Sequence, residues 1–258
     1  MEKRLYWVNL NWARLFTSLG RRPEKGPIAS YDNLIDGLLE TGAEVGIVLD
    51  ADQVPQIWQD QRGGWDSRDV ADAFMTLAYV SMMHFSDRVS AWRITATMDG
   101  DLTHVEEDDL PYVPVASELA GEVARAYHKA LAVARAVAFA RALPGQLRVS
   151  VSLGTERGEN TGLAETFARM LGTGRVPASL IAYAQLPGSP FRALEDDVAD
   201  FVAGVPDAFD MPQASVAQDV ERDERTLFER LSQRTSGHAS WDAEVAQIAT
   251  DLRLAARA

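Results

Sequence analysis

SYDNLIDGLLETGAEVGIVLD, residues Ser30 to Asp50, contains a complete helix-to-strand unit. Leu34, Ile35, Leu38 and Leu39 fall on one helical face, with Ser30 placed to cap the helix start and Gly42 to end it. The EVGIVLD run that follows, Glu44 to Asp50, is almost continuously apolar, as in a parallel strand covered on both faces.

The alternation continues outward from this unit. LYWVNLNW (Leu5 to Trp12) is a strand candidate, and a helix is expected from Ser67 to Phe85. RVSAWRITAT (Arg88 to Thr97) is extended, an alanine-rich helix covers Ser117 to Leu143, and LRVSVSL (Leu147 to Leu153) is another strand. Residues 163–171 and 179–185 have helical patterns. ADFVAGV (Ala199 to Val205) fits either a further strand or the end of a helix. Strand and helix in this alternation indicate right-handed β/α units and a parallel sheet, which open doubly wound sheets and closed barrels both satisfy. The GRRPEKG loop lacks the glycine spacing of a dinucleotide fingerprint, and no phosphate-loop pattern occurs.

The chain has 258 residues, enough for one sizeable core, and a formal net charge of -13. So negative a surface repels phosphate backbones and anionic lipid, which argues against nucleic acid and membrane as partners. Cysteine is absent, and the four histidines lack metal-motif spacing, so neither a metal nor another cofactor is expected. Asn9, Asn11 and Arg14 interrupt the N-terminal apolar residues, leaving no secretory core, and no stretch approaches the roughly 20 apolar residues of a membrane span. A cytoplasmic location is the expectation.

Several blocks, in order, resemble family 1 of the glycoside hydrolases, the β-glucosidase-like retaining enzymes. YWVNLNWARLF is similar to that family's second-strand block. SYDNLIDGLLETGAEVGIVLDADQVPQIWQDQRGGW is similar to its next helix, third strand, Leu-Pro-Gln turn and Gly-Gly-Trp loop. FSDRVSAWRITAT resembles the approach to its fourth strand. The likeness is specific over residues 6–97 and looser over 98–205, where DFVAGV resembles the sixth strand; residues 206–258 read as a divergent helical extension. The resemblance implies one α/β domain over residues 1–258: a parallel (β/α) TIM-barrel-like fold, shortened relative to a (β/α)8 glycosidase barrel. Functional residues then belong at the carboxyl ends of the strands.

Against the family pattern, the sugar machinery is replaced. Trp7 stands at the position of the arginine that supports the nucleophile, and Ala51 and Asp52 stand at a sugar-gripping His-Trp pair. Ala96 and Thr97 stand at the Asn-Glu pair that includes the catalytic acid. Threonine is no general acid near neutral pH, and no segment matches the nucleophile strand. Ordinary retaining hydrolysis, which needs two carboxylates about 5 to 5.5 Å apart, is the least favoured reading.

The replacement mouth offers Asp50, Asp52, Asp99, Glu156 and His104 as candidate acids and bases. Trp7, Asn9, Asn11, Gln53, Thr95 and Thr97 are candidate substrate contacts. For Asp50, Asp52 and Asp99, loop capping competes with catalysis; for Asn9 and Asn11, local backbone bonding does. Trp12, Trp65 and Trp92 match framework positions and are expected in the core or at its rim. The leading expectation is a small-molecule enzyme on a repurposed scaffold, a cyclase, isomerase or lyase of a biosynthetic pathway. The alternatives are a non-catalytic carbohydrate- or metabolite-binding protein and a partner subunit of a complex. Open sheet edges favour a homo-oligomer, a dimer in its simplest form.

Overall fold

The structure is a computed structural model describing residues 4–20, 22–99, 117–145, 147–154, 162–177, 180 and 194–210. Five strands form one parallel sheet in the order β1-β2-β3-β4-β5. They are β1 (Leu5–Leu10), β2 (Glu44–Asp50), β3 (Ala91–Thr97), β4 (Arg148–Gly154) and β5 (Ala208–Asp210). Consecutive strands are neighbours throughout, as in a barrel wall. Among the described residues the wall is open, since no strand pairs with the free edges of β1 and β5.

Between the strands run α1 (Trp12–Leu15), α2 (Lys25–Glu40), α3 (Gln56–Arg62), α4 (Asp69–Phe85), α5 (Ser117–Ala142), α6 (Gly162–Thr173) and α7 (Leu194–Ala203). A short 3-10 turn, Gly64–Asp66, joins α3 to α4. Among the described residues no helix is long and apolar enough to cross a membrane.

Register separates the two faces of the sheet. Val8, Ile47, Trp92 and Val149 lie at one level, as do Leu10, Leu49, Ile94 and Val151. All eight are buried and form the layer on which the helices pack. The alternate residues point to the concave side, where Asn9, Val48, Arg93 and Ser150 share a level and Asp50, Thr95 and Ser152 share the next. This face is half-buried and more polar, so EVGIVLD has its helix cover on one face only among the described residues.

Trp12, Trp65 and Trp92 are buried, and Trp12, Trp65 and Phe74 meet with ring centroids 5.5 to 6.5 Å apart. This aromatic cluster packs beneath the mouth: Trp65 Nε1 donates to Ala51 O at 2.8 Å, fixing the chain just past β2. The buried His128 ring donates through Nδ1 to Trp65 O at 2.9 Å; burial lowers its basicity and keeps it neutral.

One local reading changes and an open one is decided. Helix α2 begins at Lys25, so Ser30 lies inside it and donates to Gly26 O at 3.2 Å instead of capping the start. The earlier start is possible because Pro27 falls in the first turn, where the N–H it lacks would have no helical partner. ADFVAGV is the end of helix α7 and not a sheet strand. Asp197, Phe201 and Gly204 are buried at helical spacing, and any Cβ at Gly204 would collide with the backbone of Ala134 on α5. The strand follows at Ala208–Asp210, so the region expected as a helical extension opens with β5; its residues 211–258 lie outside the described residues.

Candidate functional site

The ends of β2 and β3 build the mouth of the half-barrel. Asp50 closes β2 and lies at the level of Thr95 on β3. Its Oδ1 accepts the backbone N–H of Asp52 at 3.0 Å, an Asx turn that bends the chain away from the strand. The side chains of Thr95 and Gln53 also hydrogen-bond its carboxylate. Burial is the main influence on this group and holds its pKa above the ordinary aspartate value. The negative charge of Asp52 adds to that rise, while the hydrogen bonds from Asp52 N–H, Thr95 and Gln53 oppose it.

Asp52 has a different environment. Its Oδ1 meets Lys129 Nζ from α5 at 2.5 Å, and its Oδ2 accepts Thr97 N–H at 2.7 Å. Lys129 also donates to Thr97 O at 2.6 Å. One lysine thus ties the loop after β2 to the end of β3, and Thr97 contributes its backbone to the clamp. With these partners satisfied, Asp52 serves to position the mouth. The two aspartates, two residues apart, therefore have unequal surroundings: burial raises the Asp50 carboxyl, whereas Asp52 is paired with Lys129.

The other candidates divide. Asn9 faces the concave side one level below Asp50. The side-chain oxygens of Asn9 and Gln53 are buried and accept no hydrogen bond from the described residues. Asn11 is engaged locally: its Oδ1 caps α1 by accepting Arg14 N–H at 3.0 Å, and its own N–H donates to Tyr31 OH at 2.9 Å. Trp7 lies three residues back from the end of β1, about 10 Å down the strand. There its ring fills the space left by Gly46, where a Cβ would come within 2.6 Å, and carries the Arg93 guanidinium 4.4 Å from its centroid. Trp7 is a packing residue of the wall, below the mouth. Asp99 is exposed two residues beyond β3. Glu156 and His104 lie outside the described residues. Among the described residues no group of three or more acidic or histidine side chains is placed to hold a metal ion.

Lys129 and a second cluster behind the mouth were missed in the sequence. The buried Asp197 of α7 accepts two bonds from Arg68, one of them at 2.6 Å, and another from Tyr127 OH at 2.6 Å. Burial by itself would raise the Asp197 carboxyl. The hydrogen bonds from Arg68 and Tyr127 and the charges of Arg68 and Arg135 outweigh it, holding the group below the usual carboxylate range. Burial and the bond to Asp197 push the Tyr127 phenol far upward, so it remains a donor. A weak signal for Lys129 existed: it is a cation beside His128 on a helix otherwise rich in alanine.

Comparison with known proteins agrees with this architecture. The model of glycosyl hydrolase family 1 matches residues 1–162, well over half of the chain. Beta-glucosidase 25 of Oryza sativa subsp. japonica is 31% identical over 87 residues, which are 34% of this chain and 17% of that protein. Human lactase/phlorizin hydrolase is 34% identical over 93 residues, 36% of this chain and 5% of the other. A beta-glucosidase from Exiguobacterium marinum superposes with a TM-score of 0.62 at 18% identity, over 80% of this chain and 50% of that structure. For the Thermotoga maritima beta-glucosidase in complex with deoxynojirimycin the TM-score is 0.60 at 19% identity, over 81% and 49%. The chain spans about half the length of these solved barrels and a smaller share of the curated relatives. With the parallel β/α wall in hand, the match over residues 1–162 places the chain in glycosyl hydrolase family 1.

Proposed function

We propose that the chain is a small-molecule enzyme on a glycosidase-like scaffold, with Asp50 transferring a proton in an isomerisation, cyclisation or elimination. The observation that carries this reading is the unequal pair at the mouth: burial raises the Asp50 carboxyl, while Asp52 is engaged in an ion pair with Lys129. Proton transfer needs one carboxyl near its working pKa, whereas retaining glycoside hydrolysis needs two acting across a glycosidic bond. Gln53 and Thr95 flank Asp50 with polar groups suited to a hydroxylated substrate. A cytoplasmic setting belongs to the same proposal.

The test follows hydrogen–deuterium exchange in D2O by proton NMR, with hydroxyacetone, dihydroxyacetone and D-fructose as probes. The wild-type chain is expected to accelerate exchange at the carbon next to the carbonyl. Asp50→Asn should lower that rate by about 10²- to 10⁴-fold, and Asp99→Asn should leave it unchanged. Exchange that survives Asp50→Asn, or hydrolysis of an aryl β-glucoside by either protein, contradicts the proposal.

A second reading, a partner subunit that self-associates, is favoured by one observation: among the described residues β1 and β5 have unpaired edges. Sedimentation that returns a monomer at all concentrations removes it.

A further inference from the structure

A groove of about 240 Å³ opens on the helical side of the wall, apart from the mouth. It lies between the segment that follows β1, helix α3 and the first half of α4. Trp12, Phe16 and Trp58 supply its apolar walls, and Arg62, Asp69 and Asp72 supply its charges. We propose that this groove binds a small zwitterion with a flat apolar body, the chemistry of an aromatic α-amino acid.

Size, charge and rigidity each support this class of ligand. Pockets for drug-sized ligands enclose roughly 300 to 1,000 Å³, so a groove slightly below that range suits a molecule of amino-acid size. Arg62 and Asp69 stand 3.7 Å apart with side chains 51% and 60% exposed. So loose a surface pair contributes little by itself, and both charges remain open to a ligand. Their separation allows one ligand carbon bearing both an ammonium and a carboxylate to face the two groups together. The guanidinium of Arg62 has the planar fork that takes a carboxylate through two hydrogen bonds. Asp69 takes the ammonium.

The remaining charge at the groove, Asp72, pairs at 2.9 Å with Arg135, which also holds Asp200 at 2.7 Å. The lining thus carries both signs, one arginine and two aspartates. That arrangement offers a partner to each charge of a zwitterion. Trp12 and Phe16 are 1% and 3% exposed and belong to the packed core, so the apolar wall is in place before a ligand arrives. Trp58 is half-buried at the opening, where its ring can cover one face of the ligand's apolar body.

L-Phenylalanine is the probe, titrated into the full chain and followed by tryptophan fluorescence and calorimetry. Saturable binding is expected, with 3-phenylpropanoate and 2-phenylethylamine, each lacking one charge, at least about tenfold weaker. Arg62→Gln and Asp69→Asn should each weaken L-phenylalanine by about tenfold or more without lowering the unfolding midpoint, because both side chains are exposed. Asp50→Asn should bind as the wild type does, which keeps this result independent of the mouth. Absence of saturable binding overturns the proposal. Equal binding of the three probes, or full binding by the Arg62 and Asp69 variants, does the same.

Discussion

At the scale of single residues, Asp50 and Asp52 show how position outweighs residue type. Burial raises the Asp50 carboxyl, whereas Lys129 and the Thr97 N–H hold Asp52 in charged contacts. The raised value links Asp50 to stability with a definite sign. An unfolded aspartate loses its proton near pH 3.9, while the folded Asp50 keeps its proton to higher pH. The stability that Asp50 contributes is thus complete below about pH 3.9 and lost as pH rises through the folded-state value. Relative to Asp50→Asn, which does not titrate, the wild-type chain should lose stability over that window and hold a constant difference above it. Urea unfolding at stepped pH measures this; a flat difference, or a wild type that gains on the variant as pH rises, contradicts it. Asp50 and Thr95 were legible in sequence because each falls at the end of an extended run, where a barrel places its mouth. That Asp52 is the paired aspartate was not legible, since its partner Lys129 lies 77 positions away.

At the scale of elements, polar contacts behind the mouth fasten the helices to one another. Asp197 on α7 receives Arg68, which immediately precedes α4, and Tyr127 of α5. Its Arg68 contact spans 129 positions, and the compact, apolar ADFVAGV run fitted either a strand or the end of a helix. The helix prevails because Asp197, Phe201 and Gly204 share a face that fits against α5, with Phe201 5.5 Å from the Tyr127 ring. Asp197→Ala removes the acceptor from a buried cluster and leaves Arg68 and Tyr127 without it. The expected loss is about 3 to 5 kcal/mol at neutral pH, read from denaturant unfolding. Since the folded Asp197 value is depressed, its stabilisation is present above the unfolded value near pH 3.9 and lost as pH falls through the folded one. The cost of the substitution should therefore shrink on acidification. A neutral-pH loss under about 1 kcal/mol would show that the cluster does not hold α7 in place.

At the scale of the whole molecule, the chain is part of a barrel wall with helices on one side and a polar concave face on the other. Alternating strand and helix patterns were sufficient to read β1 to β4 from sequence, since each has buried residues at alternate positions. The three-residue β5 was missed because it is too short to carry a period. On this family 1 scaffold one raised carboxyl, Asp50, stands beside Asp52, which is paired with Lys129. Titration of the side-chain carboxyl carbons by NMR, with Asp50→Asn identifying the resonance, tests this most directly. A midpoint for Asp50 above the ordinary aspartate value of about 3.9 is expected. A midpoint at or below that value would show Asp50 to be an ordinary ionised loop residue and would contradict the account.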